Sequence, residues 1–183
     1  MNIKIISSGK KEIFPFAIPI GIGLIESSIN LTRIALFDKP DLIIFIGSAG
    51  SYGKLKIYDI IETSNSSNIE QCFITKNCYT PIENIITFNN VSRETIINSS
   101  NYITTNENIA KKYLKLNIDA ENMEFFSVVK VAKEFNIPVK GIFVITNYCN
   151  KNAHNDYIKH IKKAKAKLIN YLIEKNIIKE INE

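Results

Sequence analysis

The run Leu42-Ile43-Ile44-Phe45-Ile46-Gly47-Ser48-Ala49-Gly50-Ser51 constrains this chain more than any other stretch. Its first five residues are all apolar, so a strand built from them tolerates water on neither face. Such a strand belongs in a parallel sheet covered on both sides. The small residues that follow let backbone come close to something else. Open α/β sheets bind ligands in the crevice beyond the carboxyl ends of their strands. Gly47 to Ser51 is therefore expected to form a Gly/Ser turn at the mouth of a site.

Apolar patterns around this run alternate between the strand period and the helix period. Ile3 to Ile6 and Ala17 to Ile20 read as short strands, the second closed by Gly21-Ile22-Gly23. Glu26 to Phe37 reads as a helix stopped by Asp38-Lys39-Pro40, and Lys56 to Glu62 as a strand. Thr105-Asn106-Glu107 offers a cap for a helix running to about Leu116. Ile118 to Asn122 is a short extended piece, Met123 to Phe135 a helix, and Val139 to Thr146 a second strongly apolar strand. The last helix, roughly Asp156 to Lys175, carries Ile158, Ile161, Ala164, Leu168 and Leu172 at helical spacing. Residues 64–101 are polar and hold only short β-prone pieces, Cys72-Phe73-Ile74 and Ile85-Ile86-Thr87-Phe88. This alternation predicts an α/β fold: one domain spanning 1–183, with a mixed central sheet and helices on both faces.

Bulk properties narrow the function classes. The 183 residues suffice for one full core, and 45% apolar with 22% charged residues is ordinary for a globular protein. No apolar run is long enough to span a membrane, and Met1-Asn2-Ile3-Lys4 lacks a signal-peptide pattern, so a cytoplasmic protein is expected. The formal charge of +5 comes largely from Lys159, Lys162, Lys163, Lys165 and Lys167, which read as the solvated face of the last helix. No nucleic-acid-binding motif accompanies them. Cys72, Cys78 and Cys149 lack C-x-x-C spacing and read as free thiols, and His154 and His160 as surface residues. No metal site or cofactor is expected.

Two motif look-alikes fail on spacing. Gly47 to Lys54 has one residue too many for a phosphate loop and no Ser or Thr after the lysine. Ala49-Gly50-Ser51-Tyr52-Gly53 resembles a nucleophile elbow, but the following segment is β-like and no histidine completes a triad.

Polar residues at strand ends remain as candidates. Glu12 follows the first strand, Ser48 the central one and Asn147 the strand 139–146, while Glu124 opens a helix. These ends share one rim of an open sheet, so the four groups can converge. Each also has a plainer reading: a solvated acid for Glu12, a first-turn acid for Glu124, a turn residue for Asn147.

Taken in order, Gly21-Ile22-Gly23, Gly47-Ser48-Ala49-Gly50 followed by Lys56-Ile57-Tyr58-Asp59-Ile60, Asn122-Met123-Glu124 and Ile145-Thr146-Asn147 resemble the nucleoside phosphorylase/nucleosidase family. The likeness is nearest to bacterial methylthioadenosine/S-adenosylhomocysteine nucleosidases and covers nearly the whole chain. It implies a nucleoside phosphorylase-like fold and an enzyme acting on a purine nucleoside. Glu124 and the Met123 backbone would hold the ribose diol, and Glu12 with Ser48 would bind the attacking water. Ala49 and Gly50 would line the sugar and base pocket, Tyr102 would stack on the purine, and the Ile103 backbone would read its edge. Asn147 stands where nucleosidases place an Asp at purine N7, in the Ile-Thr-Asn context of trimeric purine nucleoside phosphorylases, which tilts the base toward hypoxanthine or guanine. Phe143 takes the place of an Arg near the water, and the segment from Glu12 to Ala17 is shorter than in relatives, which would displace Glu12 from the site. Asp59 is expected to be structural. A homo-oligomer, commonly a dimer, is implied as well, with residues 64–90 completing a neighbour's pocket.

These groups suit the chemistry. Breaking a ribosyl C–N bond builds positive charge on the sugar and negative charge on the departing purine. A carboxylate on the diol and a donor at N7 stabilise those charges, and a second carboxylate can take a proton from water. Three functions stay open: hydrolysis, phosphate-dependent cleavage, and nucleoside or nucleobase binding without turnover. Hydrolysis leads because Arg33 and Arg93 match no phosphate-site motif.

Overall fold

The computed structural model describes residues 1–87 and 94–179. Phe88 and Arg93 lie outside the described residues. Its strands are β1 (Ile3–Ser7), β2 (Ile18–Pro19), β3 (Leu42–Ser51), β4 (Ile60–Thr63), β5 (Ser66–Ser67), β6 (Ile85–Ile86), β7 (Ile96–Ser99), β8 (Ile118–Asn122) and β9 (Val139–Tyr148). The helices are α1 (Gly23–Asp38), α2 (Gln71–Ile74), α3 (Glu107–Leu114), α4 (Phe125–Glu134) and α5 (Ala153–Glu174), with a 3-10 turn at Lys10–Glu12.

The doubly apolar run does what its composition demands. Ile43 and Phe45 point into a core shared with Leu31 and Ala35 of α1 and Phe125, Val128 and Val129 of α4. Ile44 and Ile46 point the other way, against Ala164, Leu168 and Leu172 of α5. The fold is an α/β sandwich with helices on both faces of a mixed sheet, as the sequence predicts. β1, β3 and β9 run parallel, while β4 is antiparallel to β9 and β8 to β3.

The expected turn after Ile46 does not form. β3 continues through Gly47 to Ser51, with a bulge at Ala49/Gly50 against β9. Its other edge is divided: β1 pairs with residues 42–46 and β8 with residues 50–51. Between them the edge at Ser48 belongs to no neighbouring strand. The small residues serve close packing rather than reversal, since a Cβ on Gly47 would lie 2.9 Å from a Glu12 carboxylate oxygen.

Other boundaries shift for local reasons. The strand expected from Lys56 starts only at Ile60, because Asp59 accepts from the Lys56 N–H at 2.8 Å and closes a turn with Tyr58 at φ 73°. That turn gives Asp59 a structural role. Cys72-Phe73-Ile74 lies in the one-turn helix α2, and Cys72 and Cys78 form a disulfide rather than free thiols. The turn brings their Cα atoms to 5.4 Å, within bridging range. Cys149 is free and buried. Ile158 is 42% exposed and does not join the core with its helix partners. No helix among the described residues is long and apolar enough to cross a membrane.

Phe143 is fully buried and packs against Phe45 and Phe125, with ring centroids at 5.6 and 5.0 Å. Gly141 lies beneath these rings; a Cβ there would sit 2.5 Å from both Phe125 and Phe143. Gly141→Ala should therefore cost about 1–3 kcal/mol by forcing the rings apart. Urea unfolding measures it, and an unchanged midpoint would contradict this packing.

Candidate functional site

The unpaired edge of β3 builds the site. The Ser48 N–H donates to Glu12 Oε2 at 2.8 Å, and the Ser48 hydroxyl donates to Glu12 Oε1 at 2.5 Å. The Ser48 carbonyl accepts from Asn122 Nδ2 at 3.1 Å. Side chains thus satisfy backbone groups that a neighbouring strand would otherwise pair, as buried groups require.

Glu12 reaches this edge from the 3-10 turn, which begins with Lys10 in the left-handed region at φ 53°. Lys165 of α5 clamps the turn, donating to the carbonyls of Lys11 at 3.1 Å and Ile13 at 2.8 Å, and lies over the Phe14 ring. Alone in the lysine-rich stretch of α5 it turns inward; Lys159, Lys162, Lys163 and Lys167 are exposed. The short segment to Ala17 does not displace Glu12, which is buried in the cleft.

Asn122 also organises Glu124. Its Oδ1 accepts from the N–H groups of Glu124 and Phe125 at 2.8 and 2.9 Å, fixing the start of α4. Glu124 is buried, and its Oε1 accepts from the Gly23 N–H at 2.9 Å. Gly23 has φ 78° and no room for a Cβ beside Asn101.

Both acids are held above the usual carboxylate range. Burial raises Glu12, while the Ser48 hydrogen bonds and the Lys165 charge pull against it. Burial pushes Glu124 up to about 7, with the Gly23 N–H opposing and the nearby Glu12 charge adding to the rise. Such shifts suit groups that exchange protons near neutrality.

Glu12, Ser48, Ala49, Gly50, Met123, Glu124, Asn147, Tyr102 and Ile103 all border one cleft of about 450 Å³. The structure brings every sequence-predicted site residue together there. Asn147 is buried; its Oδ1 accepts from the Thr146 hydroxyl at 2.9 Å, and its Nδ2 donates to the Tyr148 carbonyl at 3.3 Å. Tyr102 stands at the rim, 76% exposed. Phe143 faces the core and leaves the cleft to others.

Sequence reasoning missed one wall. His154, Tyr157 and Ile158 line the cleft from the first turns of α5, and Tyr157 faces the Glu12 carboxylate. The signal was available: the helix follows the carboxyl end of β9, and positions 154, 157 and 158 share a helical face. His154 is exposed, but at the cleft; His160 is half-buried, its Nδ1 2.9 Å from the Thr146 carbonyl. Glu121 and Asn122 of β8, Lys10 and Lys11 of the 3-10 turn and Ile22 before α1 are further wall residues that sequence reasoning missed.

Residues 84–174 match the phosphorylase superfamily. No curated protein matches the sequence. Among solved structures, an aspartate-to-asparagine mutant of the Helicobacter pylori nucleosidase MTAN, with 5'-methylthioadenosine in its active site, superposes at TM-score 0.77. Identity is 15%, covering 95% of this chain and 98% of that one. Futalosine hydrolase of H. pylori superposes at 0.77 with 16% identity, over 94% and 97% of the two chains. The Streptococcus pneumoniae MTA/SAH nucleosidase in complex with 8-aminoadenine gives 0.75 at 14% identity, over 94% and 97%. The chain therefore shares the fold of these nucleosidases, and its residues 84–174 carry the likeness to the phosphorylase superfamily.

Proposed function

We propose that this chain hydrolyses the N-glycosidic bond of a purine nucleoside. The observation that carries the reading is the convergence of two buried carboxyls, Glu12 and Glu124, with the Asn147 amide on one cleft of nucleoside size. Glu124 accepts from the ribose hydroxyls and offsets positive charge as the C1'–N9 bond breaks. The bond's electron pair leaves with the purine, and Asn147 donates a hydrogen bond to N7. Water attacks C1' and gives its proton to Glu12, whose orientation Ser48 fixes. A neutral amide supplies no proton, so the purine takes one from solvent.

Phosphate-dependent cleavage is the second reading, and one observation favours it. Lys10 and Lys11 line the cleft beside Glu12 and could meet phosphate oxygens. The third is nucleoside binding without turnover, which the neutral Asn147 supports. Purine release from inosine, adenosine and methylthioadenosine, with and without phosphate, separates the three. Release in phosphate-free buffer is expected. Strict phosphate dependence would establish the second reading, and thermal stabilisation without turnover the third.

A second copy of the chain is part of the proposal. Exposed Tyr102 and Ile103 at the rim, with Ile25 and Ile29 on α1, support a partner covering that side. Sedimentation should show a dimer; a monomer at working concentrations would sink this element.

Glu124 also sets a pH dependence. Diol hydroxyls donate to the ionised carboxyl, so nucleoside affinity should rise with pH through about 7 and then level off. In the empty protein the raised value acts oppositely: its stabilising contribution is complete below the ordinary carboxylate range and lost as pH climbs through about 7. Glu124→Gln should abolish turnover, by about 100-fold or more. It should also raise Tm at pH 8 by several degrees while leaving it nearly unchanged at pH 4. Turnover assays and thermal denaturation of the variant check both; unchanged turnover would remove the ribose-binding assignment.

A further inference from the structure

A second groove lies apart from the cleft and shares no residue with it. It runs between α2 and α3. Phe73, Ile74 and Leu116 give it an apolar floor, and Lys76, Lys112 and Lys115 stand around it. All three lysines are exposed. Among the described residues none of them forms an ion pair, and no acid lines the groove.

Cys78 opens on the same groove, and the local backbone puts it there. α2 is followed by Lys76 in the left-handed region at φ 62°. The Asn77 N–H donates to the Cys72 carbonyl at 2.7 Å, and the Lys76 N–H to the Phe73 carbonyl at 3.0 Å. This pair of bonds ends the helix and reverses the chain, bringing Cys78 back to Cys72, its disulfide partner. Both cysteines are exposed, but only Cys78 lines the groove. The bridge spans a sequence separation of 6. So short a loop constrains the unfolded chain little, and neither cysteine belongs to a hydrophobic core. Opening the bridge leaves those cores in place.

We propose that this groove binds small thiols bearing carboxylates, and that they exchange with the disulfide at Cys78. The attacking species in thiol–disulfide exchange is a thiolate, and the outcome depends on which sulfur it can reach. The three ammonium groups raise the local concentration of an anion, while the apolar floor takes its carbon chain. The thiolate sulfur bonds to Cys78 Sγ as the Cys78–Cys72 bond breaks. The electron pair of that bond leaves on Cys72 Sγ, which takes a proton from solvent. The small thiol is oxidised as Cys72 is reduced, so no further oxidant is needed. A mixed disulfide on Cys78 and a free Cys72 thiol result. The cleft and its reaction have no part in this site.

Exchange kinetics on the wild-type protein test the proposal. Mercaptosuccinate, 2-mercaptoethanol and cysteamine supply anionic, neutral and cationic thiols, compared at equal thiolate concentration and low ionic strength. Early acid quenching and peptide mass mapping locate the adduct, which should sit on Cys78. Mercaptosuccinate should react at least about tenfold faster than 2-mercaptoethanol, with cysteamine slowest. Salt at about 0.5 M should draw the three rates together. Lys112→Ala combined with Lys115→Ala should leave mercaptosuccinate within about twofold of 2-mercaptoethanol. An adduct chiefly on Cys72, equal rates at low salt, or a preference that survives in the variant overturns the proposal. So does the absence of exchange with any thiol, as a groove covered by a second copy would give. The salt comparison needs only the wild-type protein and decides the matter even if the variant fails to fold.

Discussion

The gap on one edge of β3 is the constraint on which the site depends. β1 and β8 approach the same edge from opposite ends and leave the Ser48 N–H and carbonyl without a strand partner. An orphaned buried pair of this kind is expensive. The chain satisfies it with side chains, Glu12 from the N-terminal turn and Asn122 from β8. The same contacts that complete the sheet therefore bring an acid into the cleft and set the start of α4, where Glu124 sits. Sheet integrity and site geometry rest on one set of hydrogen bonds, so neither can vary freely.

Two buried carboxyls side by side carry an electrostatic cost. Each is desolvated, and the charge of Glu12 makes ionising Glu124 harder. Local donors offset part of this: Ser48 and Lys165 for Glu12, Gly23 and Asn122 for Glu124. What remains is a pair of carboxyls that burial holds above the ordinary range. Carboxyls shifted in this way gather at functional sites.

Much of the architecture was legible because hydrophobicity reports it directly. β3 and β9 stand out as double-sided apolar strands, and β8, α4 and α5 follow from their periods. The failures have physical causes. Gly47 to Ser51 looks like a turn, yet the residues are small because Glu12 and Asn147 press against the strand. Between residues 64 and 101 the strands are polar and still buried: Ser66 bonds the Ile97 carbonyl at 2.7 Å, and Ser67 bonds Asn98 Oδ1 at 2.8 Å. Hydroxyls satisfied inside a sheet leave no apolar alternation to detect. The cleft wall from α5 was hidden because that helix begins at Ala153, before its apolar period becomes regular.

In the proposed reaction Asn147 would be a neutral residue at a centre where charge develops. A departing purine gains negative charge, and a fixed amide donor stabilises it without having to lose a proton. The Thr146 hydroxyl on Oδ1 holds the amide so that its donor end lies toward Gly50. On that reading orientation replaces acidity as the contribution of this position. An acid would protonate N7 outright and suit a poor leaving group. A locked donor asks less of the protein and more of the base, favouring purines that carry the developing charge well. On the nucleosidase reading, stabilisation of the departing base would rest on this one side chain and on the hydroxyl that orients it.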